Sequence, residues 1–473
     1  MWRVLPAAML ASSVAGGMCG PRSVNTANGT EQQAPSATAG TSDSAIAFQH
    51  VTLIDGTGRR PQPGMTVVVQ AGRITEIYRS ASKPLRRGVA RPDYSGHYLM
   101  PGLIDSHVHL GTRERPPGVA EALLKNAFMD GVTSVRDMGG SMAIVAPLAR
   151  TASSDMMPMP RMYYSAIIAG PLEARWFHGA SGVFMAGGVE PGTSPLVQRV
   201  VRGADVSAMI ARAKAAGATG IKFYGDVEPA MIRSLVAEAR RQGLRTWSHL
   251  AMPPGRPRDA VDAGVEVVTH GDQFRAEMTQ PVTAGLSDSL RRHALQEQHA
   301  RMLPSDTAMT RLLELMRRRG TMFDPTLFVM LPLSPPADTS KRNMDRVLMP
   351  FRFAAAMTAR AARMGIPVVA GTDALGGSTA NLHAELQLLV DSAGLTPLEA
   401  ITAATLHGAR ALGAQDSLGT VAVGKRADLL ILRADPARDI RNTQTVVAVV
   451  KGGRVHVRTT PRRPGPLAAP PRP

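Results

Sequence analysis

Short apolar runs, each closed by a polar residue, recur along the middle of the chain. The stretch 99–110 starts as such a run, is punctuated by Pro101 and Gly102, and predicts a buried strand over 99–107. Seven further runs predict strands at 132–137, 162–169, 219–223, 244–249, 265–270, 321–326 and 366–373. Segments of helical period separate them, most clearly at 207–216 and 229–242. Strands alternating with helices imply parallel β/α units, and eight of them predict a (β/α)8 barrel over 99–414. The polar connection 272–322, with a helical stretch at 309–319, is long for one crossover and reads as a candidate lid.

On both sides of the barrel the pattern shifts to short β-rich runs. Strands are expected at 45–54, 65–70 and 72–77, then at 419–424, 427–432, 446–450 and 454–458. A unit of roughly fifty residues is too small to hold a good core alone. The two ends, 45–98 and 415–458, are therefore expected to join as one composite β-sandwich beside the barrel, giving an α/β protein overall. Residues 1–18 carry Arg3, a mostly apolar run over 4–14 and then small residues, the order of a signal peptide cleaved after Ala15 or Gly17. The run is too short for a permanent span. Residues 19–44, rich in small and polar side chains, read as a flexible linker, and the Pro/Arg-rich 459–473 as a disordered tail. The expectation is an exported protein: periplasmic, secreted, or lipid-anchored through Cys19. Met18, however, stands where bacterial lipoprotein signals carry Gly, Ala or Ser.

Composition narrows the chemistry. A net charge of +17 suggests an anionic partner, but the arginines are spread along the chain and the longest block singled out is Arg317-Arg318-Arg319. With aromatics at 4%, stacking platforms are scarce, and no nucleic-acid partner is expected. Cys19 is the single cysteine, which excludes an intrachain disulfide and a multi-cysteine zinc site. Metal chemistry must rest on His, Asp, Glu or Lys.

Such residues stand where a barrel would use them. His107 and His109 are two apart on the first strand, so their imidazoles project from one side. Lys222, His249, His270 and Asp373 stand at the ends of strands four, five, six and eight, and the C-terminal ends of barrel strands are where catalytic groups gather. Asp137 ends strand two and is expected to play a supporting role.

From about residue 46 to 455 the chain resembles the amidohydrolase superfamily, most closely its prolidase-like branch of Xaa-Pro and Xaa-Arg dipeptidases and imidazolonepropionase-like enzymes. The resemblance is carried by Met-Pro-Gly-Leu-Ile-Asp-Ser-His-Val-His (100–109), His249, His270 and Gly-Thr-Asp (371–373). His383-Ala-Glu-Leu, Leu-Thr-Pro-Leu-Glu-Ala-Ile-Thr-Ala-Ala-Thr (395–405) and Gly-Lys-Arg-Ala-Asp-Leu (424–429) extend it. It implies a site for two divalent metal ions, usually Zn2+. His107, His109 and Asp373 would hold the more buried ion, and His249 and His270 the second. Lys222 would bridge both as a carbamate formed with carbon dioxide, because an ammonium has no lone pair and must first become a neutral amine. A water bridging two cations has its pKa lowered from ~15.7 toward neutrality, and Asp373 would orient the resulting hydroxide as general base.

Three weaker candidates surround that site. His178, in the loop Arg175-Trp176-Phe177-His178, stands where relatives carry a Gly-Gly-His motif and is a candidate substrate or transition-state contact, in a bulkier loop. Tyr224 is a candidate pocket residue. Arg175 could pair a substrate carboxylate through both nitrogens. His50, His97, His293, His299, His407 and His456 have no motif support. The function expected is amide hydrolysis in a dipeptide or N-acyl amino acid, with a small-molecule substrate; a homo-oligomer stays open. The alternatives are a mononuclear cyclic-amide hydrolase of imidazolonepropionase type, or a deaminase. Lys222 argues against both, and six filled ligand positions argue against a scaffold that has lost its metals.

Overall fold

The computed structural model describes residues 45–111, 118–171, 194–280, 287–332, 338–373 and 381–458. Cys19, Arg175, His178, the 1–18 and 19–44 segments and the 459–473 tail lie outside them.

The N-terminal strands β1 (Ile46–Leu53), β2 (Gln62–Gln70), β3 (Arg73–Arg79) and β4 (Tyr98–Pro101) belong to one mixed sheet. In β2 the run Met65–Val69 is buried throughout, and Val67 and Val69 join Phe48, Val51 and Leu53 of β1 in the apolar core of this sheet. The predicted strand 99–107 is in fact two strands in two sheets. β4 pairs with β1, the chain bends at Gly102, and β5 (Leu103–Val108) opens the barrel. A Cβ at Gly102 would run into Thr133. On either side of the bend the hydrogen bonds change partner: Gly102 N–H donates to Asp428 O at 2.9 Å and Leu103 N–H to Gly131 O at 3.0 Å.

The barrel continues through β6 (Val132–Asp137), β7 (Arg161–Ala169), a short β8 (Val197–Arg199) paired only to β7, then β9 (Gly220–Phe223), β10 (Arg245–His249), β11 (Val267–Thr269) and β12 (Met322–Asp324). All neighbours are parallel. Helices wrap the outside for ordinary reasons. In Pro229–Arg241 the buried positions Ile232, Leu235, Val236 and Ala239 form one stripe, Pro229 opens the first turn, and Gly243 takes the left-handed turn after it. Asp205 caps Val206–Ala215 through the Ala208 N–H at 2.9 Å.

Strand eight, expected at 366–373, forms no regular ladder. It bridges Phe323 at Val368 and closes the barrel through single bonds: Ser106 N–H to Ala370 O at 3.0 Å, and Asp373 N–H to His107 O at 2.8 Å. Ala370 N–H turns instead to Ala403 O, in the π-helical turn Ala403–His407 that follows the helix Pro397–Thr402. The candidate lid is also revised. Thr307–Arg319 buries Met309, Leu312, Leu313 and Met316 in the main core and is a wall helix of the barrel.

The C-terminal strands β13 (Leu429–Leu432), β14 (Val446–Lys451) and β15 (Arg454–Val457) return to the first sheet, in the order β15-β14-β13-β4-β1-β2-β3. The composite unit is thus one seven-stranded sheet, curled until the turn at Gly72 meets the turn at Gly452; a Cβ at Gly72 would lie 3.2 Å from Gly452 O. The expected strand at 419–424 is a loop. Gly419 and Gly424 both have left-handed backbone and Val423 is exposed, so its alternating apolar pattern does not record a ladder.

Candidate metal centre

Strand β5 is buried along its whole length, and Asp105, His107 and His109 alternate onto one side of the chain. Asp105 ties this strand to the closing segment. One oxygen accepts from the His107 and Thr372 backbones at 3.2 and 3.1 Å, the other from Thr372 Oγ1 at 2.8 Å. Thr372 precedes Asp373, so the clamp sets Asp373 beside the histidines. His109 Nε2 lies 3.1 Å and His107 Nε2 3.4 Å from Asp373 Oδ1. Ligand atoms of these three residues lie within 4.8 Å of one another.

The second pair adjoins them. His270 Nδ1 is 3.7 Å from Asp373 Oδ2, its ring centroid is 5.2 Å from that of His107, and the His249 ring is 4.6 Å from that of His270. Three residues at these strand ends, His270, Thr326 and Asp373, hold left-handed backbone at φ of 73°, 50° and 53°. Strain of this kind in non-glycine residues gathers where side chains must be aimed.

Three of these imidazoles, those of His107, His109 and His270, are anchored through one nitrogen. A carbonyl only accepts, so His109 Nδ1 carries the proton that meets Gly139 O at 3.1 Å, leaving Nε2 turned to Asp373. His107 Nδ1 meets Asp324 Oδ2 at 2.9 Å, and His270 Nδ1 meets Thr326 Oγ1 at 3.0 Å. Among the described residues, His107 Nε2 is buried with no hydrogen-bond partner. A divalent cation would satisfy that lone pair, and two imidazoles with a carboxylate are a fitting donor set for zinc.

The electrostatics agree. Burial pushes His107 and His249 well below the usual histidine range and His270 down to about 3, so these rings are neutral, as ligation demands. Burial also works against charge on His109 and Asp373, but the Asp373 contact outweighs it for His109, and attraction to His107 together with the His109 hydrogen bond and His270 outweighs it for Asp373. The imidazole is raised, and the carboxyl is held well below the usual range.

Lys222, on β9, is completely buried, and burial lowers it to about 7. Its Nζ donates to Thr269 Oγ1 at 2.7 Å, and that hydroxyl donates to Ser248 O at 3.1 Å. Tyr224, two residues on, is also buried. Its ring centroid lies 4.2 Å from the His249 ring and 5.8 Å from Lys222 Nζ. Asp137 supports the loop after His109, accepting from Leu110 N–H at 2.6 Å and Gly139 N–H at 3.0 Å.

Sequence reasoning missed two charged residues inside the barrel and undervalued a third. Arg136, on β6, is fully buried; its Nε donates to Ser106 O at 2.5 Å and its guanidinium lies 4.7 Å from the Trp247 ring centroid. Asp324 ends β12, and burial pushes it up to about 7 against the pull of Arg136 and Lys222. Its one available signal was its place at a strand end, like the ligands. Glu385, from the His383-Ala-Glu-Leu stretch, accepts from the Leu327 and Phe328 backbones at 3.1 and 2.7 Å, and burial raises it to about 8. His383 itself is a strut, between Thr443 Oγ1 and Asp130 O at 2.9 Å each.

The model of the amidohydrolase family matches residues 98–456. The ochratoxinase of Aspergillus niger is 24% identical over 470 residues, covering 90% of this chain and 89% of its own. An imidazolonepropionase of Pseudomonas putida is 23% identical and covers 74% of this chain and 82% of its own. Among solved structures, a Xaa-Pro dipeptidase with methionine bound in its active site superposes with a TM-score of 0.68 at 21% identity, over 88% of this chain and all of its own.

Proposed function

From the premise that this chain belongs to the amidohydrolase family and cleaves carbon–nitrogen bonds, we propose that it hydrolyses the amide bond of a dipeptide or N-acyl amino acid at a two-metal centre bridged by carboxylated Lys222. The observation that carries this reading is Lys222 itself, a fully buried amine at the histidine cluster with Thr269 Oγ1 as its hydrogen-bond acceptor. Its neutral form adds carbon dioxide: the nitrogen–carbon bond forms, one N–H leaves as a proton, and a carbamate with two anionic oxygens results. One hydrogen stays on the nitrogen, so the bond to Thr269 survives the change.

His107, His109 and Asp373 would hold one ion and His249 with His270 the other, zinc in our reading, with the carbamate between them. Metals bound there would lower the pKa of water and polarise the scissile carbonyl. Asp373 takes the proton of the attacking water on its carboxylate and returns it to the leaving nitrogen. Water thus adds OH to the carbonyl carbon and H to the amine. Tyr224 walls the site beside His249, and Arg175 would pair a substrate carboxylate and His178 would meet the carbonyl, both outside the described residues. The names of the relatives support the substrate class: an ochratoxinase, and a Xaa-Pro dipeptidase that holds methionine. The pattern of residues 1–18 supports export, whether to the periplasm, to the medium or to a lipid anchor at Cys19.

The test is metal content per chain on zinc-supplemented protein, for wild type and Lys222→Ala, with a screen of dipeptides and N-acyl amino acids. About two metals in wild type, falling together with amidase activity in the variant, is the expected result. One metal in both, with an active variant, would favour the second reading, a mononuclear cyclic-amide hydrolase or deaminase, for which the similarity to imidazolonepropionase speaks.

A further inference from the structure

The reaction outlined above gives Asp324 no task, yet its burial is complete and its partners are specific. A carboxylate removed from water is unfavourable unless a charge or strong donors compensate it. Asp324 has both. Its Oδ2 accepts from His107 Nδ1 at 2.9 Å, and Arg136 Nη2 approaches the same oxygen at 3.5 Å. Arg136 is fixed in turn by its bond to Ser106 O and its contact with the Trp247 ring. The closing strand leaves room for this group. A Cβ at Gly371 would lie 2.6 Å from Asp324 Oδ1 and 2.6 Å from His107 Cβ. Gly371 has no left-handed backbone among the residues that adopt one, so close approach, rather than φ, explains the glycine.

We infer that Asp324 is the positioning residue of the metal centre, holding His107 with the proton on Nδ1 and the Nε2 lone pair turned toward Asp373, while Arg136 holds Asp324. The chemistry is directional. A carboxylate can only accept, so it selects the Nδ1–H form of the ring. An amide or a protonated acid can present a donor to Nδ1 instead, which moves the ring proton to Nε2 and removes the lone pair a cation needs. Arg136 Nη2 points at the same Oδ2 from 3.5 Å, so a second donor already faces that oxygen and it meets the ring as an acceptor. The contacts join β5, β6, β12 and the closing segment, so the ring of His107 is aimed from three sides. The inference rests on the reading of His107 as a metal ligand.

The experiment measures zinc affinity by competition with a chromophoric chelator for wild type, Asp324→Asn, Gly371→Ala and the double variant Asp324→Asn/Arg136→Gln. Each apoprotein is melted alongside, and cobalt(II) spectra are recorded. Asp324→Asn should weaken the tighter zinc about 10- to 100-fold, the usual effect of losing a partner behind a metal ligand, and should shift the visible cobalt bands. Gly371→Ala should move both readouts in the same direction by less. The double variant removes both buried charges, so it guards against a simple failure to fold, and it should still bind zinc as weakly as Asp324→Asn. A double variant that melts like wild type and keeps wild-type zinc affinity and cobalt bands overturns the inference. So does a loss of affinity in Asp324→Asn that leaves the cobalt bands unmoved and merely tracks the apoprotein melt. A wild type that takes up no zinc overturns the functional reading and this inference with it, whereas unaltered binding in the variants overturns this inference alone.

Discussion

Lys222 and Lys451 are both completely buried, one at the candidate metal centre and the other where the curled sheet meets the barrel. At the seam, Lys451 Nζ shares its three hydrogens among the carbonyl oxygens of Ala152, Ser154, Met157 and Met159, at 2.8, 2.9, 3.1 and 2.7 Å. The loop before β7 is wrapped around the ammonium as it would be around a metal cation. Arg161, paired with Asp428 through Nε at 2.6 Å, and Arg426, paired with Asp155 at 2.7 Å, reinforce the same seam. Lys222 has Thr269 as its acceptor; burial, with the Arg136 guanidinium behind it, works against its charge, while Asp324 and Asp373 favour it. Burial lowers both amines, to about 7 for Lys222 and about 8 for Lys451, so the direction of the shift does not distinguish them. The acceptors do: a lysine ringed by carbonyls is complete as an ammonium, whereas one with a single hydroxyl is suited to lose its proton and react.

Exchanging each lysine breaks the comparison most directly. Lys222→Met should lower kcat/KM by about 10³-fold or more, since a metal-activated water is worth several kcal/mol of barrel-mouth chemistry, and should leave the denaturation midpoint of the apoprotein close to wild type. Lys451→Met should do the reverse. Stranding several buried carbonyls costs about 3 kcal/mol or more, read as a lower denaturation midpoint, while kcat/KM per folded molecule stays unchanged. A Lys451 variant that loses activity without losing stability would undo the distinction.

Two smaller effects sharpen it. Lys222 must be neutral to take up carbon dioxide, so the rate at which metal-free protein is reactivated by zinc at constant dissolved carbon dioxide should fall about tenfold per pH unit below about 7 and level off above it. The sign follows from protonation: below its pKa the amine is mostly ammonium and has no lone pair. A reactivation rate flat from pH 5 to 8 would count against the carbamate. Thr269→Val removes the acceptor that orients the nitrogen and should reduce carbamate occupancy several-fold, seen as a weaker carbamate signal after labelling with 13C-bicarbonate. Thr269→Ser, which keeps the hydroxyl, should restore it.

Much of this arrangement is legible along the chain because it is local. A strand's alternation decides which residues share a face, so His107 and His109 declare themselves as a pair, and His249, His270 and Asp373 stand out at the ends of apolar runs. The 132–137 strand appears at its predicted bounds, and 207–216 and 229–242 fold as helices with ends shifted by one residue. Local pattern misleads where a contact distant in sequence overrides it. Pro101 and Gly102 look like punctuation inside one strand, but Asp428 and Gly131 pull the two halves into different sheets. The closing segment is apolar like its neighbours, yet Ala370 is drawn to Ala403 and its ladder is interrupted.

By itself the chain determined its alternation of strands and helices and the identity of the ligand-type residues, since each depends on spacing over a few residues. Tertiary structure decided what those residues face. His107 and Asp324 meet across 217 positions of sequence, Arg136 and Asp324 across 188, and Lys451 reaches its carbonyls across nearly three hundred. A buried charge is stabilised only by what closes around it, and barrel closure brings those partners together from strands whose own patterns carry no sign of one another.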